Sequence, residues 1–360
     1  MKKILISSGG SGGHINPSIA LYSHLKEKYY VKIITDQRGA RYLAKSSCKF
    51  EIIDVPNIFN NLLKLPINIF KNIISFFQSY IYLKKNNFDI LISTGGYMSI
   101  PLFLSAKFLK KEVFLYEPNT TLGRANRFMI NYSKKIFCIT NKINNLPKKF
   151  ENKIFVIEPL LRKEIYEIEK NNQNKISNPL KIIILGGSQG ANFFDNKLHN
   201  VIKNLSNNFN IELIQQVQDK ETVEILKKFY DKLNIENNIF TFDEDIFNKI
   251  NQCNLAITRS GASALAELCM INTPFIAIPF PHAKDNHQLL NAKYYEKKGA
   301  CWVVEQSDFE IDKMTNLFIK IFENQSEYLK KKENLYKISY QNSWNNINQK
   351  LIKILNDKIS

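Results

Sequence analysis

Apolar positions fall along this chain in short unbroken runs, each followed by small and polar residues and then by a stretch with helical spacing. In the first half the runs are Ile4-Leu5-Ile6, Val31 to Thr35, Ile90-Leu91-Ile92, Val113 to Tyr116 and Lys153 to Ile157. In the second they are Lys181 to Leu185, Leu255-Ala256-Ile257 and Pro274 to Ile278. Unbroken apolar runs mark buried strands, and strands spaced by helices make a parallel sheet whose strand ends host ligands. Three runs open into loops of small residues that lead to helices: Gly9 to His14 with a helix from about Pro17, Gly186 to Ala191, and Thr258 to Ser263 with a helix over Ala264 to Met270. Such a helix start offers unpaired N–H groups and the positive end of a dipole, which suits a phosphate or a carboxylate. Because both halves open this way, the expected fold is α/β: two Rossmann-like parallel-sheet domains, 1–160 and 161–340, facing across a cleft. A helix over 341–360, with Trp344, Ile347, Leu351 and Leu355 on its apolar side, is expected to pack back across the hinge.

One stretch does not fit the strand-and-loop rhythm. From Asn57 to Lys85, Leu62, Leu63 and Leu65 precede Phe70, Ile73, Ile74, Phe77 and Ile81, which share one helical face, with Lys64, Lys71, Lys84 and Lys85 between. The stripe reads as a face packed on the sheet. The apolar residues off that face, beside lysines, read as an interfacial patch for an anionic membrane surface. Asn171 to Pro179 is polar and reads as a surface loop.

Composition narrows the partners. A chain of 360 residues with 44% hydrophobic residues supports two globular domains. Its net charge of +17 points to an anionic partner, but no DNA- or RNA-reading motif accompanies it, so nucleic acid is not expected. Cys48, Cys138, Cys253, Cys269 and Cys301 lie far apart with no metal spacing or disulfide framework, which fits a reducing cytoplasm. The basic start carries too few apolar residues for a secretion signal, and nowhere do about 18 run unbroken, so the chain is not expected to span a bilayer.

The loops carry the chemistry. Asp36 after the second strand invites a dinucleotide reading, but Ile15 stands where the last glycine of that fingerprint belongs. Glu267, about one turn into its helix, can accept two hydrogen bonds from a ribose diol. Asp285, Asn286, His287, Gln288 and Asn291 fall within about two helical turns and suit sugar hydroxyls. Asp243-Glu244-Asp245 contains Asp-x-Asp, which can hold a divalent metal; the competing reading, favoured here, is that Asp245 caps a helix from Ile246.

Arg259-Ser260-Gly261-Ala262 with Glu267, followed by Asp285 to Ala292, resembles the nucleotide-sugar half of the two-domain (GT-B) glycosyltransferases. The likeness is greatest to the family 28 enzymes of peptidoglycan synthesis, which add N-acetylglucosamine to a lipid-linked muramoyl-pentapeptide. Gly9 to His14, Gly95-Gly96-Tyr97 and Glu117-Pro118-Asn119 resemble that family's acceptor-side loops, and Gly186 to Ala191 matches its second glycine loop. Two places depart from the pattern: Pro159 falls one position early before Arg162, and Gln218 replaces a glycine. The resemblance implies an inverting transferase using UDP-N-acetylglucosamine, with His14 as the base and Gly95, Gly96 and Tyr97 toward the acceptor. On the donor it implies Ser11, Gly12, Gly13 and Asn119, with Arg162 and Ser188 at the diphosphate, Asp243 in the uracil loop and Glu267 on the ribose. Gln288 is implied on the sugar, with His287 and Asn291 beside it. Helix dipoles and arginine would neutralise the leaving diphosphate, so no metal or cofactor is expected. The implied location is peripheral, on the cytoplasmic face of the inner membrane. Two rivals remain: a GT-B transferase of another glycolipid or antibiotic pathway, and a non-catalytic nucleotide-sugar-binding partner at the membrane.

Overall fold

The computed structural model describes residues 1–10, 12–44, 46–57, 65–170 and 176–356, without the side chains of 188–191. Ser11, Leu62, Leu63 and Lys64 therefore lie outside the described residues, as does 171–175 of the polar loop. The chain divides into two units, 1–166 with 342–360, and 167–341.

In unit 1 the strands are β1 (Lys3–Ser7), β2 (Tyr30–Thr35), β3 (Phe50–Ile52), β4 (Ile90–Ser93), β5 (Glu112–Glu117), β6 (Lys135–Cys138) and β7 (Ile154–Val156). They form one parallel sheet in the order β3-β2-β1-β4-β5-β6-β7. Helices α1 (Gly12–Leu25), α2 (Gln37–Leu43), α3 (Leu65–Asn86), α4 (Ser99–Phe108) and α5 (Arg124–Met129) connect them. Ile4 and Ile6 face one apolar cluster and Leu5 the other, so β1 is buried on both sides as its unbroken pattern requires. The strand order reverses between β1 and β4. That gap, at the carboxyl ends of the strands, is where doubly wound sheets bind ligands.

Two expectations for unit 1 are corrected. Helix α1 begins at Gly12 rather than near Pro17, because the turn is completed by Gly10 at φ 89°. The apolar stripe of α3 is not core: Phe70 is 64% and Ile81 63% exposed, and Ile73, Ile74 and Phe77 are exposed too. The face that packs inward carries Ser75, Ser79 and Leu83. Ser75 Oγ donates to the Asp54 carbonyl at 2.9 Å, and Ser105 Oγ of α4 donates to the Phe76 carbonyl at 3.0 Å. Small hydroxyl side chains let α3 approach its neighbours closely while satisfying their own polar groups locally. Periodicity located a stripe but not the side of the helix that is covered.

Unit 2 holds β8 (Leu180–Leu185), β9 (Ile211–Gln216), β10 (Glu236–Phe240), β11 (Leu255–Thr258), β12 (Phe275–Ala277) and β13 (Trp302–Val303), parallel in the order β10-β9-β8-β11-β12-β13. Its helices are α6 (Gly187–Leu205), α7 (Lys220–Asp231), α8 (Ile246–Gln252), α9 (Ala262–Ile271), α10 (His287–Lys297), α11 (Ile311–Glu323) and α12 (Gln325–Ser339). The order reverses again, between β8 and β11. Behind α6, buried Tyr230 donates to Gln215 Oε1 at 3.1 Å, and Gln215 Nε2 donates to Asp195 at 3.1 Å. Burial pushes the Asp195 carboxyl up to about 6.

After α12 the chain returns to unit 1 as α13 (Trp344–Asn356), which lies within the segment expected to be helical. Ile347, Leu351, Ile354 and Leu355 of α13 join the cluster formed by α1 and β1. His24 of α1 stacks on Trp344 with centroids 3.7 Å apart, and its Nδ1 lies 2.7 Å from the Asn348 side chain. Burial lowers His24 from 6.5 to about 4, against the opposing pull of the Asn348 hydrogen bond. Between these values the unfolded chain takes up a proton that the folded chain refuses, so this stability is present above about pH 6.5 and lost as pH falls toward 4. The loss is roughly 3 kcal/mol, since one pKa unit is worth about 1.4. In His24→Gln, the stability lost on acidification from about pH 7 to about pH 4.5 should be smaller than in wild type by an amount of this order. Denaturant titrations at both pH values check it, and an unchanged acid loss would contradict it.

Candidate active site

Three loops of unit 1 meet at the switch point. Gly9 to His14 leaves β1, Gly95-Gly96-Tyr97 leaves β4, and Glu117 to Asn126 leaves β5. Gly95 and Gly96 have φ of 91° and 85°. A Cβ on Gly95 would lie 3.2 Å from His14 Cε1, and one on Gly96 would lie 3.1 Å from the Gly9 carbonyl oxygen. Only glycine allows both the left-handed turn and this approach of one loop to the imidazole of the other.

His14 stands in the first turn of α1, half-buried. Its Nδ1 is 2.8 Å from the Thr94 carbonyl oxygen. A carbonyl only accepts, so Nδ1 carries the proton, and in the neutral ring Nε2 keeps its lone pair. Ser8 Oγ and Thr94 Oγ1 both donate to the His14 carbonyl, at 2.8 and 3.1 Å. The ring is thus oriented as a proton acceptor.

Glu117 braces the third loop. Its buried carboxylate accepts from Asn119 N and Nδ2 through Oε1, at 3.2 and 2.9 Å, and from Gly123 N and Asn126 Nδ2 through Oε2, at 2.8 and 3.0 Å. Asn119 is placed by this carboxylate. Gly12 and Gly13 open α1 beside His14, and Arg162 is half-buried just ahead of the short turn Lys163–Tyr166.

In unit 2 the corresponding loops leave β8, β11 and β12. Gln288, in the first turn of α10, accepts from Ser260 N at 3.1 Å and from Phe280 N at 2.9 Å through Oε1. That oxygen ties two loops together, and the donors of the side chain are its amide hydrogens. Asn291 is buried, and its Nδ2 donates to the Ser260 carbonyl at 3.2 Å, so it shapes the same loop from behind. His287 Nδ1 donates to the Lys284 carbonyl at 2.7 Å. Asp285 and Asn286 precede the helix in left-handed conformation, φ 53° and 52°, rather than continuing its turns. Glu267 is half-buried on α9, and α6 starts at Gly187, immediately after β8.

Arg259 is a buried cation of unit 2. Its Nη1 donates to the carbonyls of Ile278 and Pro279 at 3.2 and 3.3 Å. Its guanidinium lies over the rings of Phe194, Phe193 and Phe280 at 4.7, 5.1 and 5.7 Å. Burial lowers it to about 10, so it stays charged at neutral pH and joins the start of α6 to the end of β12.

The Asp-x-Asp segment is organised differently from the expected cap. Helix α8 does begin at Ile246, but Asp245 makes no capping bond to its backbone and holds the Asn248 amide instead. Asp243 accepts from Asp245 N at 2.7 Å and pairs with Lys249. Lys249, ahead of the bond to Asp245, holds the Asp243 carboxyl below its usual range. Among the described residues no cluster of three metal-ligating side chains occurs, and the five cysteines are buried thiols.

The likeness to known proteins covers both units. Residues 4–138 match the glycosyltransferase family 28 N-terminal domain, and residues 181–348 match the family 28 C-terminal domain. The chain is 44% identical over 356 residues, 99% of each chain, to the UDP-N-acetylglucosamine--N-acetylmuramyl-(pentapeptide) pyrophosphoryl-undecaprenol N-acetylglucosamine transferase of Pelagibacter ubique (strain HTCC1062). It is 34% identical to the transferase of the same name from Rickettsia bellii (strain RML369-C), over 92% of this chain and 96% of that one. The crystal structure of Acinetobacter baumannii MurG superposes with a TM-score of 0.77 at 22% identity, covering 98% of this chain and 99% of that one, which shows a shared GT-B fold. With both of its domain signatures in order and a relative this similar along its whole length, the chain belongs to glycosyltransferase family 28.

Proposed function

We propose that this protein transfers N-acetylglucosamine from UDP-N-acetylglucosamine to the 4-hydroxyl of undecaprenyl-diphospho-N-acetylmuramoyl-pentapeptide, with inversion, in peptidoglycan synthesis. The whole-chain likeness to the Pelagibacter ubique transferase carries this reading. The geometry supports the following roles. His14 Nε2 accepts the proton of the 4-hydroxyl as its oxygen bonds to the anomeric carbon and the bond to UDP breaks; the diphosphate leaves with the electron pair. Gly95, Gly96 and Tyr97 shape the acceptor's place, and Ser11, Gly12, Gly13 and Asn119 serve the donor. Glu267 accepts from the ribose diol, and the backbone around Asp243 meets the uracil. Ser188 at the start of α6 and Arg162 serve the diphosphate. The Gln288 amide donates to the sugar, His287 supports it, and Asn291 holds the loop both rely on.

A coupled assay of UDP release tests the reading. Turnover is expected with the muramoyl-pentapeptide lipid diphosphate. Turnover only with a different lipid or antibiotic acceptor would favour another GT-B pathway, and binding of UDP-N-acetylglucosamine without turnover on any acceptor would favour a non-catalytic partner.

The protein acts as a peripheral protein on the cytoplasmic face of the membrane that carries its acceptor. No helix among the described residues is long and apolar enough to cross a bilayer, while α3 exposes Ile67, Phe70, Ile73, Phe77 and Ile81 next to Lys71, Lys84 and Lys85, with exposed Phe108 stacked edge-on against Phe76. Apolar side chains framed by lysines suit the interface of an anionic bilayer. Phe70→Ser with Phe77→Ser and Lys71→Glu should abolish most binding to anionic vesicles in flotation assays while preserving the melting temperature, since all three side chains are exposed. Wild-type binding should weaken as salt rises. Equal flotation of wild type and variant would remove α3 from the interface.

A further inference from the structure

Beside the acceptor loops, Arg38 has a placement that none of the roles above explains. It follows β2 on α2, and its side chain is 58% exposed. Its Nη2 is hydrogen-bonded to Tyr97 OH, lies 3.6 Å from Asp36 Oδ2, and would be 3.8 Å from a Cβ on Gly10. Its guanidinium carbon is 5.4 Å from the centre of the Tyr97 ring. Arg38 is thus laid over the first glycine loop and against the Gly-Gly-Tyr turn, the two loops that enclose His14.

The support beneath it is buried and saturated. Asp36 is 4% exposed. Its Oδ1 accepts from Gly10 N at 3.1 Å and Gly39 N at 2.8 Å, and its Oδ2 accepts from Tyr97 OH at 2.9 Å. One carboxylate therefore joins β2, the first glycine loop and the β4 turn, and its charge is engaged by three donors before Arg38 reaches it. A guanidinium has five N–H donors in a planar fork, of which this support engages the Nη2 end. A planar cation held by the Tyr97 hydroxyl beside its ring, with more than half of its side chain exposed, suits the paired oxygens of a diphosphate, which it can meet bidentately.

We infer that Arg38 binds the diphosphate of the acceptor and sets the enzyme's preference for a diphosphate-linked sugar, with Asp36 and Tyr97 as the residues that position it. This rests on the acceptor reading of unit 1. The arrangement fixes one end of the acceptor over Gly10 while its sugar hydroxyl reaches His14, so the charge is used for selection and orientation rather than for the proton transfer.

The test compares two acceptors: the muramoyl-pentapeptide lipid diphosphate, and the same muramoyl-pentapeptide carrying an uncharged alkyl group in place of the lipid diphosphate. The quantity read is the ratio of kcat/KM for the first to that for the second. In Arg38→Ala and Arg38→Gln this ratio should fall at least about tenfold, the loss expected for hydrogen bonds to a charged group. Arg38→Lys, which keeps the charge but not the fork, should fall in between. A structural role for Arg38 would depress both acceptors together and leave the ratio at its wild-type value, which would overturn the inference. If Arg38→Ala does not fold, the Gln and Lys variants, which retain the side-chain stem, decide by the same ratio. Wild-type protein that glycosylates neither acceptor would overturn the acceptor reading and this inference with it; an active wild type with an unchanged ratio in the variants overturns the inference alone.

Discussion

His14→Ala should lower kcat by about 10² to 10⁴ at saturating donor and acceptor, with UDP affinity nearly unchanged. The expectation follows from the hydrogen bond between Nδ1 and the Thr94 carbonyl, which assigns the proton to one nitrogen and the lone pair to the other. A sugar hydroxyl is a weak acid, and it is deprotonated as its oxygen attacks, so the base acts in the transition state and its loss appears in kcat. A packing role predicts a different pattern. The Cβ positions of Gly95 and Gly96 lie close to the imidazole, and an acceptor loop collapsed into the space would raise the acceptor KM or lower the melting temperature while sparing kcat. Kinetics at saturation with melting checked in parallel distinguish the two; a kcat within about threefold of wild type would exclude His14 as the base.

Glu267→Ala should weaken UDP binding by about ten- to a hundredfold, since hydrogen bonds to a charged group contribute about 1.5 to 3 kcal/mol. The loss should be present with UDP alone, because the ribose and not the sugar is the proposed partner. Calorimetry reads it directly. The protein surrounding Glu267 limits the structural cost: it stands half-buried on α9, whose buried face is carried by Leu265, Ala266, Leu268 and Cys269. Unchanged UDP affinity in a folded variant would remove Glu267 from the ribose.

Much of the fold is legible in the chain because several central strands are short apolar runs bounded by glycine turns, the pattern of a strand buried on both faces. Ile4-Leu5-Ile6 and Lys181 to Leu185 are β1 and β8, and the loops that follow them are recognisable by their glycines. What was illegible depends on partners distant in sequence. Whether the stripe of α3 or its Ser75–Ser79 face packs inward is decided by the Asp54 carbonyl and by α4, and helical spacing carries no information about either. Asp36 reads alone as a nucleotide-binding acid, and only the fold brings Gly10 and Tyr97 to its carboxylate. The same holds for Thr94, an ordinary residue before a glycine pair until its carbonyl is seen 2.8 Å from His14. Arg259 is visible as a motif residue, but its three aromatic neighbours come from α6 and from the end of β12. Asp245 shows the converse: its position before α8 fits a cap, yet Asp243 takes its N–H, and its own side chain turns to Asn248.

One inverting transfer to one hydroxyl leaves its record in the product, whose structure is the deciding measurement. The protein is incubated with UDP-N-acetylglucosamine and the muramoyl-pentapeptide lipid diphosphate, and the glycosylated acceptor is isolated for mass spectrometry and proton NMR. The expected product carries a single added N-acetylglucosamine on O4 of the muramoyl residue, in the β configuration, since direct displacement inverts the α linkage of the donor. An α-linked product, attachment at another hydroxyl, or release of free N-acetylglucosamine with the acceptor unchanged would contradict it.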